Sequence, residues 1–400
     1  MANLTVGGEV LEYFTAVRRE LHQIPELGYE EYQTAERIRA ELTRLKIDFV
    51  AGVDDAPTAT VALLGDTSKP CVALRADIDA LPIAEQTGLP YASRHAGKMH
   101  ACGHDGHTAT LLATAATLQP MMSDLPVCVK LLFQPAEEGG GGGSRLVKAG
   151  VLDGRVGPRV EAIFGLHGWP ALPVGVVSTK PGPLLAATDT FEVTVRGRGC
   201  HGAFPHWGTD AVTTAASMVT NLQQFVSRDR DPTQPAVLSV GIFRAGTATN
   251  VIPDVATFAG TARTLTDATR KQLRESVQRR VKGVAEAGGC EAQVQWTDGY
   301  PPTVNDPRIA GYVAQVARDS LGEDRFIPTP YPTMGGEDFS YYLEQVPGCF
   351  FLIGVMPPGR REYPALHNDH FDFTDGAIET GVHMFVELVR RFSLSHLDAR

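Results

Sequence analysis

The stretch MHACGHDGHTA, residues 99–109, concentrates side chains that bind metal ions. It holds three histidines, one cysteine and one aspartate within nine positions from His100. A Cys-x-x-Cys zinc knuckle or redox dithiol is excluded, because no second cysteine lies within four residues of Cys102. Taken alone, the stretch fits a metal site and a helix entry about equally well, with Asp105 as the N-cap of a helix over 106–119. Any further ligands must come from elsewhere in the chain.

Three further segments place metal-binding groups after apolar runs: an acidic pair in FQPAEEGGGGG, a histidine in FGLHGWP and the first histidine of ALHNDHFDF. The candidate ligands are Cys102, His104, Glu137 or Glu138, His167 and His367. One sulfur, three imidazoles and a carboxylate exceed the three protein ligands that a catalytic zinc usually takes. The set suits two divalent ions that share a bridging group, as in hydrolytic aminopeptidase-type sites.

The adjacent acids allow a division of labour. One carboxylate can coordinate a metal, while the other takes a proton from the attacking water and passes it to the leaving group. Two acids in a row are also common in solvated turns, and the glycine run at 139–143 alone would be a flexible linker. It is not a phosphate-binding loop, because no Lys-Ser/Thr follows it. The coincidence of all four segments with one predicted sheet favours metal chemistry.

Composition excludes several classes of function. The 400 residues carry 36 Lys and Arg against 46 Asp and Glu, a net charge of −10, with no dense basic run. Nucleic acid is therefore not an expected partner. The start lacks a basic region followed by an apolar run, and no stretch of eighteen apolar residues occurs, so neither export nor a membrane span is expected. Six scattered cysteines suit a reducing compartment, and the expected location is cytoplasmic.

The elements that must position these residues follow an α/β pattern. Two helices within residues 8–46 flank a break at HQIPELGYEE. Predicted strands at 58–65, 71–78, 127–134 and 161–168 alternate with helices at 106–119 and 143–149. Because ligands of α/β sheets bind where strands end in loops, we expect the metal-binding groups to meet at that edge, with His167 at a strand end.

The pattern changes between about 186 and 299. Strands in DTFEVTVRG, AVLSVGIFR, VATFAGTAR and EAQVQWTD alternate with helices at 209–228 and 267–287, the latter with Asp267 as its cap. This order, β-α-β-β-α-β, is that of the ferredoxin-like split unit. Helices at 307–321, 337–345 and 374–393 and a strand at 349–355 then resume the first pattern. We expect a first catalytic part at 1–185, an insertion at 186–299 and a second catalytic part at 300–400.

Eight motifs together resemble one enzyme family: RRELHQIPELGYEE, ALRADIDALP, MHACGHDGHTA, FQPAEEGGGG, GLHGWP, GCHGAFPH, MGGEDFS and LHNDHFDF. In this order they resemble the dinuclear metallopeptidases, in the branch of aminoacylases, hippurate hydrolases and auxin–amino acid conjugate hydrolases. The resemblance implies a mixed-sheet α/β catalytic domain with an inserted ferredoxin-like lid and dimerisation domain. It also implies two divalent ions per subunit, Mn or Zn, with Co or Ni as alternatives.

The resemblance assigns roles to individual positions. It implies that the metal ligands are Cys102, His104, Glu138, His167 and His367, and that Glu137 is the general base and proton shuttle. Sibling branches bridge the metals with an aspartate and use a His-x-Asp motif. Here Cys102 stands in place of the bridging carboxylate.

The His-x-Asp motif reads Asp77-x-Asp79 in this chain. We therefore expect Asp77 and Asp79 to orient ligands through hydrogen bonds, with Asp105 as a further candidate. Simple solvation of a strand end is the alternative for the first two. His100 and His107 are candidates for the same orienting role or for helix packing.

Within the insertion, the resemblance implies that His201 reaches the partner subunit's site and polarises the scissile carbonyl. Asn250 and Arg263 match residues that hold the substrate carboxylate, and loop capping and a surface strand charge are their alternative roles. His206 is a substrate-binding candidate, and a structural turn beside Pro205 explains it equally well. Cys200 stands where the family more often has glycine or serine.

The function that the resemblance implies is metal-dependent hydrolysis of N-acyl-L-amino acids, hippurate-like or N-acetyl, to a carboxylic acid and a free amino acid. A homodimer or dimer of dimers through the lid is the expected assembly. The nearest alternative is a dipeptidase or carboxypeptidase on the same scaffold. A non-catalytic, cysteine-gated metal sensor is an alternative from another class, although such a module would not need Glu137.

Overall fold

The computed structural model describes residues 6–397, which divide into two compact units. Unit 1 contains the described residues up to Gly182, Val304–Tyr331 and those from Asp338 onward; unit 2 contains Pro183–Thr303 and Pro332–Glu337. Among the described residues, every helix is too short or too polar to cross a membrane.

The strands are labelled in chain order. They are β1 (Phe49–Val53), β2 (Ala56–Leu64), β3 (Cys71–Asp77), β4 (Cys128–Gln134), β5 (Val160–Pro173), β6 (Val177–Ser178), β7 (Gly182–Leu185), β8 (Ala187–Arg196), β9 (Cys200–His201), β10 (Ala236–Ala245), β11 (Val251–Ile252), β12 (Val255–Thr264), β13 (Glu291–Asp298), β14 (Thr303–Asn305) and β15 (Gly348–Met356).

The α-helices are labelled in the same way. They are α1 (Gly8–His22), α2 (Tyr32–Arg44), α3 (His104–Leu118), α4 (Gly142–Ala149), α5 (Ala211–Gln224), α6 (Asp267–Ala287), α7 (Pro307–Leu321), α8 (Ser340–Leu343) and α9 (Gly376–Arg391).

Unit 1 is built on a mixed seven-stranded sheet in the order β1-β2-β4-β3-β5-β15-β6. Its centre is parallel, because β3 pairs in parallel with β4 and β5, and β15 pairs in parallel with β5. Every residue of β3 and β4 is buried, which explains why most of their residues are apolar. Helix α3 is buried nearly all round because it packs against α1, α9 and β3 together. The predicted mixed α/β sheet is confirmed.

Unit 2 contains a four-stranded antiparallel sheet in the order β10-β12-β8-β13. Strand β8 alternates buried and more exposed residues, as expected for a sheet with one covered face. Its buried residues Phe191, Val193 and Val195 share a core with Met218 of α5 and Val277 of α6. In chain order the elements run β8-α5-β10-β12-α6-β13, the ferredoxin-like arrangement.

Several element predictions need correction. The predicted helix 337–345 is helical only over Ser340–Leu343, because Asp338 before it is drawn into a buried network with Arg75 and Gly143. The predicted helix 209–228 is an α-helix only to Gln224 and then widens into a π turn. Asp267 is the first residue of α6 rather than its cap. The cap is Thr266, whose side chain accepts a hydrogen bond from the Thr269 N–H.

Close packing requires glycine at several positions of the run 139–143, which is therefore not a flexible linker. A Cβ on Gly142 would lie 1.7 Å from the Pro135 carbonyl oxygen, and one on Gly143 would lie 2.6 Å from that of Asp338. The backbone must therefore pass against its neighbours without side chains where α4 begins. This contact fixes the loop that carries Glu137 and Glu138.

Candidate metal centre

Helix α3 presents the first two predicted ligands from its N-terminus. Its N-cap is Gly103, with φ of 87°, and a Cβ at that position would lie 2.9 Å from the Phe373 ring. Only glycine suits both conditions, so the chain turns sharply between Cys102 and His104. The prediction of Asp105 as the N-cap is therefore wrong, since Asp105 lies inside the first turn.

The Asp105 carboxylate forms hydrogen bonds with side chains of α1. Its Oδ2 accepts hydrogen bonds from His22 Nδ1 at 2.8 Å and Arg18 Nη1 at 3.3 Å. Both partners come from α1, so Asp105 ties α3 to α1 rather than orienting a predicted ligand. His100 is fully buried beside this cluster, with its ring 6.2 Å from that of His22, which fits packing rather than coordination.

The five predicted ligands meet in unit 1. Cys102, His104 and His167 form one group whose donor atoms all lie within 4.8 Å of one another, and Cys102, Glu138 and His367 form another. Cys102 belongs to both groups, which is the arrangement that a bridging ligand requires. Cys102 Sγ lies 3.4 Å from His167 Nε2, and Glu138 Oε1 lies 3.1 Å from His367 Nε2. Their coordination of metal stays a prediction.

In His104 and His167, one ring nitrogen forms hydrogen bonds with neighbouring oxygen atoms, which leaves the other nitrogen available for a metal. His167 Nδ1 donates to the Gly168 carbonyl at 2.8 Å. His104 Nδ1 lies 3.0 Å from the Asp79 carbonyl oxygen and 3.2 Å from its carboxylate. Buried His104 Nε2 has no hydrogen-bond partner among residues 6–397. Metal-bound histidines have this pattern, in which the second nitrogen donates to a carbonyl or carboxylate. The donor set therefore fits divalent ions.

Asp79 and Asp77 contact the ligand set differently. Asp79 accepts from His104 and also, through Oδ2, from the Glu138 backbone N–H at 2.9 Å. Asp77 accepts from His107 Nδ1 at 2.6 Å, and His107 Nε2 in turn accepts from the Gly168 N–H at 2.9 Å. Asp79 thus orients two predicted ligands directly. Asp77 acts through His107 on the backbone beside His167, and its Oδ2 lies 3.8 Å from His104 Nε2.

The site concentrates buried negative charge. Burial raises the pKa of the Cys102 thiol well above its usual value, and the Glu138 and Glu137 carboxylates raise it further. Burial lowers the pKa of His104, but Asp77 and Asp79 more than compensate and raise it to about 10. Divalent cations stabilise such a cluster and hold a coordinating thiol as the thiolate.

His167 and His367 reach the site in different ways. The sequence places His167 at a strand end, but β5 continues past it to Pro173, because β15 pairs with it as far as that residue. His367 lies in the loop after β15 with φ of 66°, and its N–H donates to the Ala101 carbonyl at 2.8 Å. A left-handed backbone in a non-glycine residue at a candidate site is typical of functional strain.

Sequence reasoning missed the support of Glu137. The residue before it, Ala136, has φ of 54°, and its N–H donates to Glu31 Oε1 at 2.9 Å. Glu31 is fully buried, and its Oε2 accepts from Thr58 Oγ1 at 2.7 Å. A Cβ on Gly28 would lie 2.9 Å from that of Ala136. Gly28 and Glu31, the residues that hold this turn, both lie in HQIPELGYEE, which the sequence marks only as a break between two helices.

We expect Glu31→Ala to lower turnover by about 10-fold or more with little change in KM, because small displacements of a reacting group are costly. Glu31→Gln should keep most activity, since its amide oxygen can still accept from the Ala136 N–H. Its NH₂ can donate to the Thr58 hydroxyl, which donates to Glu31 in the wild-type protein. Steady-state kinetics on both variants, with melting temperatures, check this. Equal loss in the two variants would contradict a positioning role through the Ala136 N–H.

Unit 2 groups three of its four predicted site residues. His201 in β9 pairs with Val251 of β11, next to Asn250, whose carbonyl accepts from the Gly202 N–H at 2.7 Å. The exposed His201 ring accepts the Ala203 N–H at Nδ1, at 3.0 Å. A neutral ring must then carry its proton on Nε2, which can donate to an oxyanion. His206 is exposed in the turn Pro205–Trp207 that follows.

Arg263 does not join this group. It is half-buried at the far end of β12, where it pairs with Thr188, whereas Val255 at the near end pairs with Arg196. Val255 and Arg263 are therefore roughly 26 Å apart along the strand. Arg263 Nη1 donates to the Ala262 carbonyl at 3.0 Å. Within one chain, Asn250 and Arg263 cannot hold the same carboxylate.

Comparison with known proteins places these features in a family context. The model of peptidase family M20/M25/M40 matches residues 73–391. N-acetyl-L-cysteine deacetylase of Bacillus subtilis is 39% identical, over 96% of this chain and 89% of its own length. IAA-amino acid hydrolase ILR1-like 4 of Arabidopsis thaliana is 37% identical, over 98% of this chain and 88% of its own.

Among solved structures, the YXEP protein of Bacillus subtilis superimposes with a TM-score of 0.83 at 35% identity, covering 96% of this chain and 98% of that one. It is described as a dinuclear metal binding peptidase from the M20 family. The match extends over both units described above.

Proposed function

Because this chain belongs to peptidase family M20/M25/M40 and is a hydrolase, we propose that it cleaves the amide bond of N-acyl-L-amino acids, using two divalent ions. The products are a carboxylic acid and a free amino acid. Membership of the family supports metal-dependent amide hydrolysis. The more specific proposal, that the substrates are N-acyl amino acids, is supported by the names of the relatives.

One observation carries the proposal. Two groups of candidate ligands share Cys102, and the buried Glu137 carboxylate lies in a further group with His104 and Glu138. A binding site needs the ligands alone. A second carboxylate beside them, fixed by the strained Ala136 turn, is what a hydrolase needs to move protons.

The chain's own residues have separable tasks. Cys102, His104, Glu138, His167 and His367 would hold the ions, and Cys102 belongs to both groups of candidate ligands. Bound divalent ions would polarise the amide carbonyl and make the attacking water more acidic. Glu137 accepts the proton of that water and delivers it to the amide nitrogen as the bond to carbon breaks. His201 of the partner subunit donates a hydrogen bond to the carbonyl oxygen as negative charge develops there.

The relatives support an acylated amino acid as substrate. One is named a deacetylase of N-acetyl-L-cysteine, another a hydrolase of IAA-amino acids, and a third, from Geobacillus, a deacetylase of N-acetyldiaminopimelate. Each of these names describes an amide between an acyl group and an amino acid. A dipeptidase on the same scaffold differs only in the free α-amine of its substrate.

The test pairs elemental analysis with a substrate panel. We expect purified protein to hold about two divalent ions per chain. With Mn or Zn supplied, it should hydrolyse N-acetyl-Met, hippurate or an indole-acyl amino acid at least about 10-fold faster than dipeptides. Faster cleavage of dipeptides would favour the peptidase alternative. Metal-replete protein that is inactive on every amide would favour a metal sensor.

A further inference from the structure

A cavity of about 610 Å³ lies in unit 1 at the end of β5. Its walls include Trp169, Met356, Tyr363 and Leu366, with the exposed Ala171 at its edge. Its volume is in the range of sites that enclose whole organic groups. All of these residues belong to one unit, so the cavity exists within a single catalytic domain.

One wall of the cavity lies beside the candidate metal centre. Trp169 follows His167 by two residues, and the two rings are 6.4 Å apart in an edge-to-face arrangement. Leu366 directly precedes His367 in the sequence. Two lining residues are therefore close in sequence to predicted ligands, and the ring of one of them lies near the His167 ring. This proximity suits a group attached to an amide carbon at the metal centre.

The chemistry of the lining selects an uncharged occupant. The charged lining residues are Arg361 and Glu362, which are adjacent in the sequence, exposed to solvent and opposite in charge. Neither gives the buried cationic contact that an α-carboxylate would need. Aromatic and aliphatic side chains form the remaining walls. Apolar groups gain affinity from this surface in proportion to the area that they bury.

We propose that this cavity binds the acyl group of the substrate, and that the enzyme therefore prefers aromatic or long aliphatic acyl groups over acetyl. The inference rests on the proposed function, since it places the amide at the metal centre. An acetyl methyl fills a small part of about 610 Å³, whereas a phenyl or indole ring can pack against Trp169 and Leu366. Specificity then resides in the acyl half of the substrate.

Two substrate series test the assignment. In the first, the amino acid is alanine and the acyl group grows from acetyl through hexanoyl to benzoyl and indole-acetyl. In the second, the acyl group is acetyl and the side chain grows from alanine to tryptophan. We expect kcat/KM to rise at least about 10-fold across the first series and by less across the second. The reverse ranking would assign the cavity to the amino acid side chain and overturn the proposal.

Variants locate the preference. Trp169→Ala and the cavity-filling Ala171→Trp should each reduce the ratio of indole-acetyl to acetyl kcat/KM by about 5-fold or more. The matched control is Tyr331→Ala, which removes an aromatic side chain that is 82% exposed and lies outside the cavity. It should leave the ratio unchanged. Because the ratio is taken within each variant, partial loss of folded protein does not affect it.

The outcomes separate the two proposals. If no N-acyl amino acid is hydrolysed by metal-replete protein, the proposed function fails. The function stands and the cavity assignment fails if all acyl groups are hydrolysed at similar kcat/KM. The same holds if the ratio of indole-acetyl to acetyl kcat/KM is equal in the two cavity variants and the control variant.

Discussion

Replacing Glu137 by glutamine is expected to lower turnover by at least about 100-fold while the metal content stays the same. Glutamine keeps the size and hydrogen-bonding reach of the side chain but cannot accept a proton from the attacking water. The predicted ligands are five other side chains, so loss of the Glu137 charge should not empty the site. Turnover on the best N-acyl amino acid, with elemental analysis of the same preparation, measures both quantities.

The neighbouring residue is a matched control. Glu138→Gln makes the same chemical change one position away, but it removes a predicted ligand that lies 3.1 Å from His367 Nε2. We expect this variant to lose bound metal and activity together, and added metal should restore part of the activity. Unchanged turnover in Glu137→Gln would refute its role as proton shuttle. Loss of metal in Glu137→Gln would instead make Glu137 a ligand.

The proximity of most candidate site residues could be predicted from the sequence. Cys102, His104 and His167 lie in strands of one sheet or in its connecting loops, as does the Glu137–Glu138 pair, so chain order and the parallel-sheet rule predicted their proximity. The choice of Glu138 rather than Glu137 as a ligand came only from the resemblance. The ferredoxin-like order of unit 2 was equally legible, because its strands alternate and its helices are amphipathic. The alternation of residues within strands and the amphipathic spacing within helices are local features, so they can be recognised in the sequence.

Long-range contacts are where the sequence was insufficient. Arg75 Nη2 donates to the Asp338 carboxylate at 2.9 Å, across 263 residues of chain, and Glu31 holds Ala136 across 105 residues. Neither pair has a local signature, since a buried ion pair and a buried carboxylate look like surface charges in a sequence. The same limit explains the wrong helix prediction at 337–345, where this network overrides helical propensity.

The geometry of unit 2 bears on the expected assembly. His201 and Asn250 lie at one end of its sheet and Arg263 at the other, with β12 spanning roughly 26 Å between Val255 and Arg263. An N-acyl amino acid is too short to bridge that distance. If all three residues contact one substrate, they must come from two copies of the chain. Given the contacts that the resemblance implies, this separation is a reason to expect a dimer with shared sites.

Mixing two inactive variants should therefore restore activity. His201→Ala lacks the donor to the carbonyl oxygen, and Glu137→Gln lacks the proton shuttle, so each homodimer has two defective sites. In a heterodimer, the chain with intact Glu137 receives His201 of the partner subunit, and one site is complete. After full exchange of a 1:1 mixture, we expect about a quarter of the wild-type sites to be active.

The recovered activity must depend on subunit exchange. Chains carrying both substitutions, mixed with Glu137→Gln chains, provide the control, since no combination then completes a site. Activity should also appear with the time course of exchange, followed by size or mass. If the variants exchange subunits and activity stays at the level of the separate homodimers, His201 acts within its own chain or not at all. In that case His201 and Arg263 of one chain would not contact the same substrate, because Val255 and Arg263, at opposite ends of β12, are roughly 26 Å apart.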